Sequence, residues 1–274
     1  MQIAGILNIT EDSFSDGNEF IEEKKAILQA EKLIQDGATV IDIGAQSSNI
    51  HSKQVSAEEE WMRIEPVLSY LKTKKIPISI DTYKPSVIRN SILSGVNYIN
   101  SITALNDEES MKILSEYKSN LPDLILMYSY DNGIRAGKNS SLKVESIVDD
   151  ISFFFEGRIK SLLRIGVPIE KLYFDPGMGM FLGSDPMLSI KVLAEISILK
   201  KRFQKIYVSV SRKSFLGNLL GGVDPLERKN ATLAVEIYLY REGIDFIRTH
   251  EPGPIKEAIT IYNNIFKFYG ENKK

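Results

Sequence analysis

Short apolar runs alternate along the chain with longer segments in which apolar residues recur at helical spacing. The runs are rich in β-branched residues, as is typical of parallel strands that helices cover on both faces. A helix-like segment follows each run; in residues 24–37, for example, Ile27, Ala30 and Leu33 share one face and Gly37 marks the end. Eight runs are candidate strands: 2–9 (QIAGILNI), 39–45 (TVIDIGA), 76–82 (IPISIDT), 96–102 (VNYINSI), 124–129 (LILMYS), 171–177 (KLYFDPG), 206–212 (IYVSVSR) and 245–250 (DFIRTH).

Eight β/α units in about 250 residues are the expected content of a (β/α)8 TIM barrel. The alternative is a doubly wound open sheet, which usually carries a G-x-G-x-x-G turn after its first strand. Here residues 8–17 read NITEDSFSDG and lack that fingerprint. No linker or low-complexity tract divides the chain. The pattern therefore predicts an α/β fold with one barrel domain over residues 1–274.

The amino-acid composition does not indicate a function, but it excludes several classes of partner and of chemistry. Hydrophobic residues make up 43% of the chain and charged residues 26%, which is ample for a globular core. The net charge of -2 gives no general affinity for nucleic acid or anionic lipid. Without cysteine, disulfides, thiolate nucleophiles and cysteine-bound metals are excluded. The first residues lack a basic leader, and no apolar run reaches the roughly 18 residues of a membrane span, so we expect a cytoplasmic protein.

Polar residues stand at nearly every predicted strand end, where the loops of a barrel converge on one mouth. One aspartate in such a place is usually a helix cap or turn residue, but a full set indicates a site. Two histidines cannot build a three-histidine zinc centre, and a lone histidine is more often structural. The strand-end residues are Asn8, Asp42, Asp81, Asn100, Tyr128, Asp175, Lys213, Arg248 and His250.

The types of these residues suggest a ligand with two parts. Basic side chains gather after the last two candidate strands, where barrels often hold phosphate: Arg212, Lys213, Arg248 and His250. Carboxylates and an amide from other strands match the N–C–N edge of a nitrogen heterocycle: Asp81, Asn100 and Asp175. Asn8 and the hydroxyls of the first loop offer hard oxygen ligands for Mg²⁺. The sequence thus suggests a heterocycle that carries a phosphoryl or pyrophosphoryl group.

Seven motifs occur in order between residues 5 and 252: GILNITEDSFSDGNEF, IDIGAQSSN, ISIDTYKP, YINSI, LYFDPGMG, SVSRKSFLG and IRTHEP. Together they closely resemble dihydropteroate synthases, pterin-binding (β/α)8 enzymes. The resemblance implies a transferase that condenses 6-hydroxymethyl-7,8-dihydropterin diphosphate with p-aminobenzoate, releases pyrophosphate and uses Mg²⁺. It also implies a homodimer.

Roles for individual residues follow from the same resemblance. Four residues would hold the pterin: Asp81, Asn100, Asp175 and Lys213. Three would hold diphosphate and metal: Asn8, Arg248 and His250. The p-aminobenzoate pocket would be lined by Ser211 and the aliphatic stem of Arg212, and Met127 would also bind substrate. Two loops would fold over the site and contribute Phe14, Asp16 and Ser48.

The chain also departs from the usual family pattern. The second loop usually runs G-G-E-S-T-R-P, whereas here GAQSSNI places Asn49 at the arginine position. The sixth loop, DPGMGMFLGSDP, lacks the usual lysine and contains Phe181. Tyr128 and Ser101 replace a common histidine and aspartate. These loops resemble sulfonamide-insensitive synthases, in which an added aromatic crowds the p-aminobenzoate pocket; the alternative for Phe181 is a plug that packs its own loop.

Two other functions remain open at this level. A corrinoid-linked methyltransferase binds methyltetrahydrofolate in a similar barrel, but it does not need the basic SRK and RTH motifs. A non-catalytic paralogue would bind a pterin without turnover. The changes at Ser101 and Tyr128 leave the second possibility open.

Overall fold

The computed structural model describes residues 1–9, 19–46, 54–130 and 141–271, without the side chains of 19–22 and 269–271. Each of the eight candidate runs overlaps one strand, and only the fifth strand begins outside its run, one residue earlier at Asp123. The strands are β1 Gln2–Asn8, β2 Val40–Gly44, β3 Ile78–Asp81, β4 Tyr98–Ser101, β5 Asp123–Met127, β6 Leu172–Asp175, β7 Tyr207–Val208 and β8 Phe246–Thr249.

The eight strands form one parallel sheet in the order β6-β5-β4-β3-β2-β1-β8-β7. A parallel bridge between Phe174 and Ile206 joins its two outer strands, β6 and β7. The sheet is therefore closed on itself, which confirms the predicted barrel and excludes the open doubly wound alternative.

Each described helix follows one of the strands in sequence, and together the helices cover the outside of the sheet. Among them, none is long and apolar enough to cross a membrane. They are α1 Glu19–Gln35, α2 Ala57–Thr73, α3 Pro85–Leu93, α4 Glu108–Glu116, α5 Ile147–Arg164, α6 Pro186–Ala194, α7 Ile196–Phe203, α8 Ser214–Leu219, α9 Lys229–Arg241 and α10 Pro252–Glu271.

Local chemistry sets where several helices begin. At the start of α2, the Ser56 hydroxyl accepts the Glu59 backbone N–H while the Glu59 carboxylate accepts the Ser56 N–H. This reciprocal pair satisfies two backbone donors that the helix leaves without partners. The Asp185 carboxylate caps α6 in a similar way, and Pro186 at its first turn needs no backbone hydrogen-bond partner.

Two of the apolar clusters among the described residues hold the barrel together. A large one lies between sheet and helices, and a smaller one fills the barrel interior towards the amino ends of the strands. Phe246 lies at its centre, with ring centroids of Tyr98 at 5.3 Å and Tyr173 at 5.2 Å. Side chains therefore fill this part of the barrel interior, which is not a pore. A ligand-binding site is accordingly expected at the carboxyl ends of the strands. The interior core contains Ala4, Val40, Ile125, Tyr207 and Phe246, with Tyr98 and Tyr173 against them.

Candidate active site

A cavity of about 530 Å³ opens at the carboxyl ends of the strands. Of the fourteen residues that the sequence assigns to the site, Phe14, Asp16 and Ser48 lie outside the described residues. All the others line this cavity: Asn8, Asp81, Asn100, Met127, Asp175, Phe181, Ser211, Arg212, Lys213, Arg248 and His250. The structure therefore brings together every predicted site residue that it describes.

Arg248 forms two ion pairs across the barrel interior. Its Nε donates to Asp42 Oδ2 at 2.5 Å and its NH2 to Asp81 Oδ2 at 2.6 Å. Asn100 Nδ2 also donates to Asp42 Oδ2, at 3.4 Å. Burial raises the pKa of the Asp81 carboxyl, and the Arg248 guanidinium opposes that rise. The described contacts of Arg248 thus tie it to the carboxylate side of the cavity, and its predicted role at the diphosphate stays a prediction.

Asp42 is the main residue of this network that the sequence did not assign a role. Its side chain is fully buried and is not among the residues that line the cavity, and Asp42 is in register with Ser79 of β3. Residues two apart on a strand face the same side, so the inward position of Asp81 also turns Ser79, and with it Asp42, into the barrel. This alternation of inward and outward side chains is the sequence feature from which the inward position of Asp42 could have been predicted. The cavity is also lined by residues that the sequence did not select: Ile6, Gln46, Thr82, Tyr83, Ile102, Ser209 and Pro225.

Asp175 lies at the end of β6, where burial raises the pKa of its carboxyl to about 6. The backbone N–H of Gly177 donates to Asp175 Oδ1 at 2.9 Å and opposes the rise, as does the charge of Lys213. Gly177 has a φ of 71°, and a Cβ there would stand 2.3 Å from the carbonyl oxygen of Tyr128. Only glycine therefore permits the turn that orients this carboxylate.

Lys213 and His250 lose basicity in the cavity. Burial lowers the pKa of Lys213 to about 8, with a further decrease from the charge of Arg248. Burial and then the charge of Arg212 lower the pKa of His250 to about 3, so its ring is neutral at pH 7. His250 Nδ1 lies 2.9 Å from Ser211 Oγ, which also accepts the His250 backbone N–H. A serine hydroxyl that donates to Nδ1 leaves Nε2 as the hydrogen-bond donor of the ring.

Arg212 is held in an unusual backbone conformation at the cavity wall. Its φ of 60° lies in the left-handed region, which is uncommon for a residue with a side chain. Its backbone N–H donates to Thr232 Oγ1 at 3.1 Å, and Arg228 NH1 donates to its carbonyl at 2.8 Å. The guanidinium NH2 lies 3.6 Å from Glu251 Oε2. Neighbouring elements therefore fix the turn that directs Ser211, Arg212 and Lys213 towards the cavity.

Phe181 belongs to a short 3-10 turn, Gly179–Phe181, after β6. It is only 7% exposed and packs with Ile102 and Met127, with Tyr83 against them. Because Ile102 directly follows β4 and Met127 ends β5, and both line the cavity with Phe181, the ring is a wall of the cavity rather than a plug within its own loop.

Of the three other departures, Asn49 lies outside the described residues, and the side chains of Tyr128 and Ser101 do not face the cavity. Tyr128 packs edge-to-face on Phe154 with ring centroids 5.2 Å apart, and Ser101 Oγ lies 3.1 Å from Thr103 Oγ1. Neither side chain is among the described residues that line the cavity. Their replacement of a histidine and an aspartate is therefore no argument that the site has lost its chemistry.

A family model described as pterin binding enzyme matches residues 4–250. A type-2 dihydropteroate synthase from Escherichia coli is 41% identical to this chain over 94% of each sequence. The chain belongs to the dihydropteroate synthase family of pterin binding enzymes. Membership in this family makes the chain a transferase, as the sequence predicted.

Solved structures of the family agree with the fold. A dihydropteroate synthase from Clostridium difficile, determined in the presence of pteroic acid, is 33% identical with a TM-score of 0.85 and 97% of each chain covered. The Yersinia pestis enzyme, in a complex with a sulfonamide drug, is 30% identical with a TM-score of 0.85, covering 97% of this chain and 94% of the other.

Proposed function

We propose that this chain condenses 6-hydroxymethyl-7,8-dihydropterin diphosphate with p-aminobenzoate to give 7,8-dihydropteroate and pyrophosphate. The observation that carries the proposal is the convergence of the carboxylates Asp81 and Asp175 with the cations Arg212 and Lys213 in one cavity of about 530 Å³. Family membership supports the same chemistry.

The acidic half of the cavity suits the heterocycle. Breaking the methylene C–O bond leaves positive charge on the pterin, which Asp175 and Asp81 would stabilise from fixed positions. Asn100 can accept from and donate to ring substituents, while Lys213 donates to the carbonyl side. Because these groups are already in place, little reorganisation is needed as the charge develops.

The basic half suits the departing pyrophosphate. Arg212 supplies positive charge, and neutral His250 supplies a donor at Nε2 to the phosphoryl oxygens. Mg²⁺ is held by few protein oxygens and by substrate phosphates and water, and the exposed Asn8 amide oxygen fits that pattern. A Cβ at Gly44 would stand 3.5 Å from Asp81 Cβ and 3.8 Å from Asn8 Oδ1, so glycine leaves this corner open. When bound there, the ion would neutralise charge on the leaving group.

The second step needs no strong base, since the attacking aryl amine is neutral and its carbon acceptor is already positive. Water must be kept away, because it would otherwise capture the cation. We propose this role for the two loops that contain Phe14, Asp16 and Ser48, on the basis of the family resemblance. Ser211 and Met127 would border the p-aminobenzoate ring.

Purified protein with both substrates and Mg²⁺ should release pyrophosphate, and the release should stop when p-aminobenzoate is omitted. Calorimetric binding of pterin diphosphate without turnover would instead support the non-catalytic paralogue. Methyl transfer from methyltetrahydrofolate to a corrinoid would support the methyltransferase alternative. Expression in a synthase-deficient bacterium, with and without a sulfonamide, tests the same function in a cell.

We also propose that Phe181 makes the enzyme insensitive to sulfonamides, because its ring narrows the cavity beside the acceptor position. Phe181→Gly should strengthen sulfonamide inhibition about tenfold or more, since steric exclusion from an apolar pocket is worth about 1–3 kcal/mol. Inhibition of pyrophosphate release measures the effect. Phe153→Ala is a matched control, because Phe153 lies on α5 with 81% exposure. Equal inhibition of wild type and Phe181→Gly would end the proposal.

The family resemblance further favours a cytoplasmic homodimer. The carboxyl-terminal helix α10 keeps a row of apolar side chains in solvent rather than on the barrel, which supports contact with a second copy. Sedimentation analysis tests the assembly, and a purely monomeric protein would contradict it. The exposed residues are Ile261, Ile265, Phe266 and Phe268.

A further inference from the structure

The Lys213 ammonium lies over the face of the Phe181 ring, with Nζ 4.4 Å from the ring centroid. This separation is well within the range of a cation–π interaction, whose strength increases when the pair is removed from water. Both side chains line the cavity, and Phe181 is 7% exposed. The contact therefore joins the cation assigned to the pterin with the ring assigned to the acceptor pocket.

Lys213 has no conventional counter-ion close to it among the carboxylates that the structure describes. Among the described residues, no carboxylate lies within 4.0 Å of its Nζ. Asp175 and Asp81 act on it only from longer range, and burial lowers its pKa to about 8. The ring face is thus the close contact that the structure provides for this ammonium.

Phe181 is held firmly enough to orient a partner. Ile102 and Met127 pack against its ring, and the backbone N–H of Gly179 donates to Ser189 Oγ at 2.9 Å. Gly179 has a φ of 64°, and a Cβ there would stand 2.9 Å from Ser214 Oγ, the residue that follows Lys213. The turn that bears the ring is therefore packed directly on the first residue of α8.

We propose that Phe181 is a positioning residue for Lys213, holding its ammonium on the ring face so that it donates to the pterin. This inference rests on the proposed function and adds to it. One side chain would then serve both halves of the site, limiting the acceptor pocket and orienting the pterin-binding cation. A change that opens the acceptor pocket by removing the ring would necessarily weaken the pterin site.

The first test separates the ring face from the bulk of the side chain. Phe181→Leu keeps an apolar side chain in the cavity wall but removes the aromatic ring, whereas Phe181→Tyr keeps an aromatic ring. Calorimetry with 6-hydroxymethyl-7,8-dihydropterin diphosphate alone, without p-aminobenzoate, should give a Kd about tenfold higher for Phe181→Leu and within about twofold of wild type for Phe181→Tyr. Equal affinity in wild type and Phe181→Leu would overturn the inference.

A double-mutant cycle assigns the effect to this pair of residues. Phe181→Leu should have almost no effect on pterin affinity in a Lys213→Met background, because the cation that the ring holds is absent. An undiminished tenfold effect there would show that the ring acts by packing alone, and would also overturn the inference.

A second readout needs no ligand. NMR titration of lysine-labelled protein should show a lower pKa for Lys213 in Phe181→Leu than in wild type, since the ring face favours the charged form. An unchanged Lys213 titration in the folded variant contradicts the inference even if no pterin binds. Absence of pterin binding by wild type, by contrast, contradicts the proposed function, so the two failures are distinguishable. Phe181→Met replaces Phe181→Leu if the latter does not fold.

Discussion

Replacing Asp175 with asparagine should lower the rate of pyrophosphate release by about 10²–10³-fold, the usual effect of removing one group that stabilises transition-state charge. Asparagine has the same shape as aspartate, and its oxygen can still accept the Gly177 N–H that now lies 2.9 Å from Asp175 Oδ1. The turn should therefore persist, and the loss should come from the missing negative charge beside the pterin.

The pH dependence provides a sharper signature. Burial raises the pKa of Asp175 to about 6, so the carboxylate is largely ionised at pH 7 and becomes protonated as pH falls through 6. Wild-type kcat/KM should decrease on that acid side, and the decrease due to this group should be absent in Asp175→Asn. Asp123→Asn is a matched control at the amino end of β5, where Asp123 pairs with Lys171 at 3.2 Å. Wild-type activity in Asp175→Asn, or an unchanged acid limb, would contradict the assignment.

The part of the site that was predictable follows from the geometry of parallel strands. Asp81, Asn100 and Asp175 each stand at the carboxyl end of a strand, and in a closed barrel those ends meet at one mouth. Their convergence could be predicted from the positions of the strands in the sequence and the direction of the chain alone. The strand lengths were less predictable: the run 206–212 contains only Tyr207–Val208 as strand. The polar residues after Val208 leave the sheet, and Arg212 turns with a φ of 60°.

The pairing of the charges could not be predicted from position along the chain. Arg248 lies on β8, yet its side chain reaches across β1 to Asp42 on β2 and Asp81 on β3. That reach requires a small residue on the strand between, and Ala4 of β1 is in register with Arg248. Such a contact depends on the direction that a side chain takes inside a closed sheet. Local sequence patterns do not predict that direction. The same applies to Phe181 and Lys213, whose meeting depends on two loops.

Asp42→Ala should destabilise the protein by about 3 kcal/mol and also reduce activity. Removing one partner of a buried ion pair typically costs about 3–5 kcal/mol, because the remaining charge stays buried without its counter-ion. Asp42 is fully buried and Arg248 has 14% of its side chain exposed, but Arg248 keeps Asp81, which favours the lower end of that range. Urea unfolding measures the stability, and pyrophosphate release measures the activity.

The matched control is Asp36→Ala, which removes an exposed ion pair with Lys32. The N–O distance of that pair, 2.6 Å, is almost the same as that between Arg248 and Asp42. The control should change the free energy of unfolding by less than about 1 kcal/mol. Arg248→Met in the Asp42→Ala background should recover part of the lost stability, because it removes the buried charge left without its partner. If Asp42→Ala and Asp36→Ala were equally mild, the guanidinium would not depend on Asp42. Arg248 would then be free to serve the diphosphate, as the sequence alone had suggested.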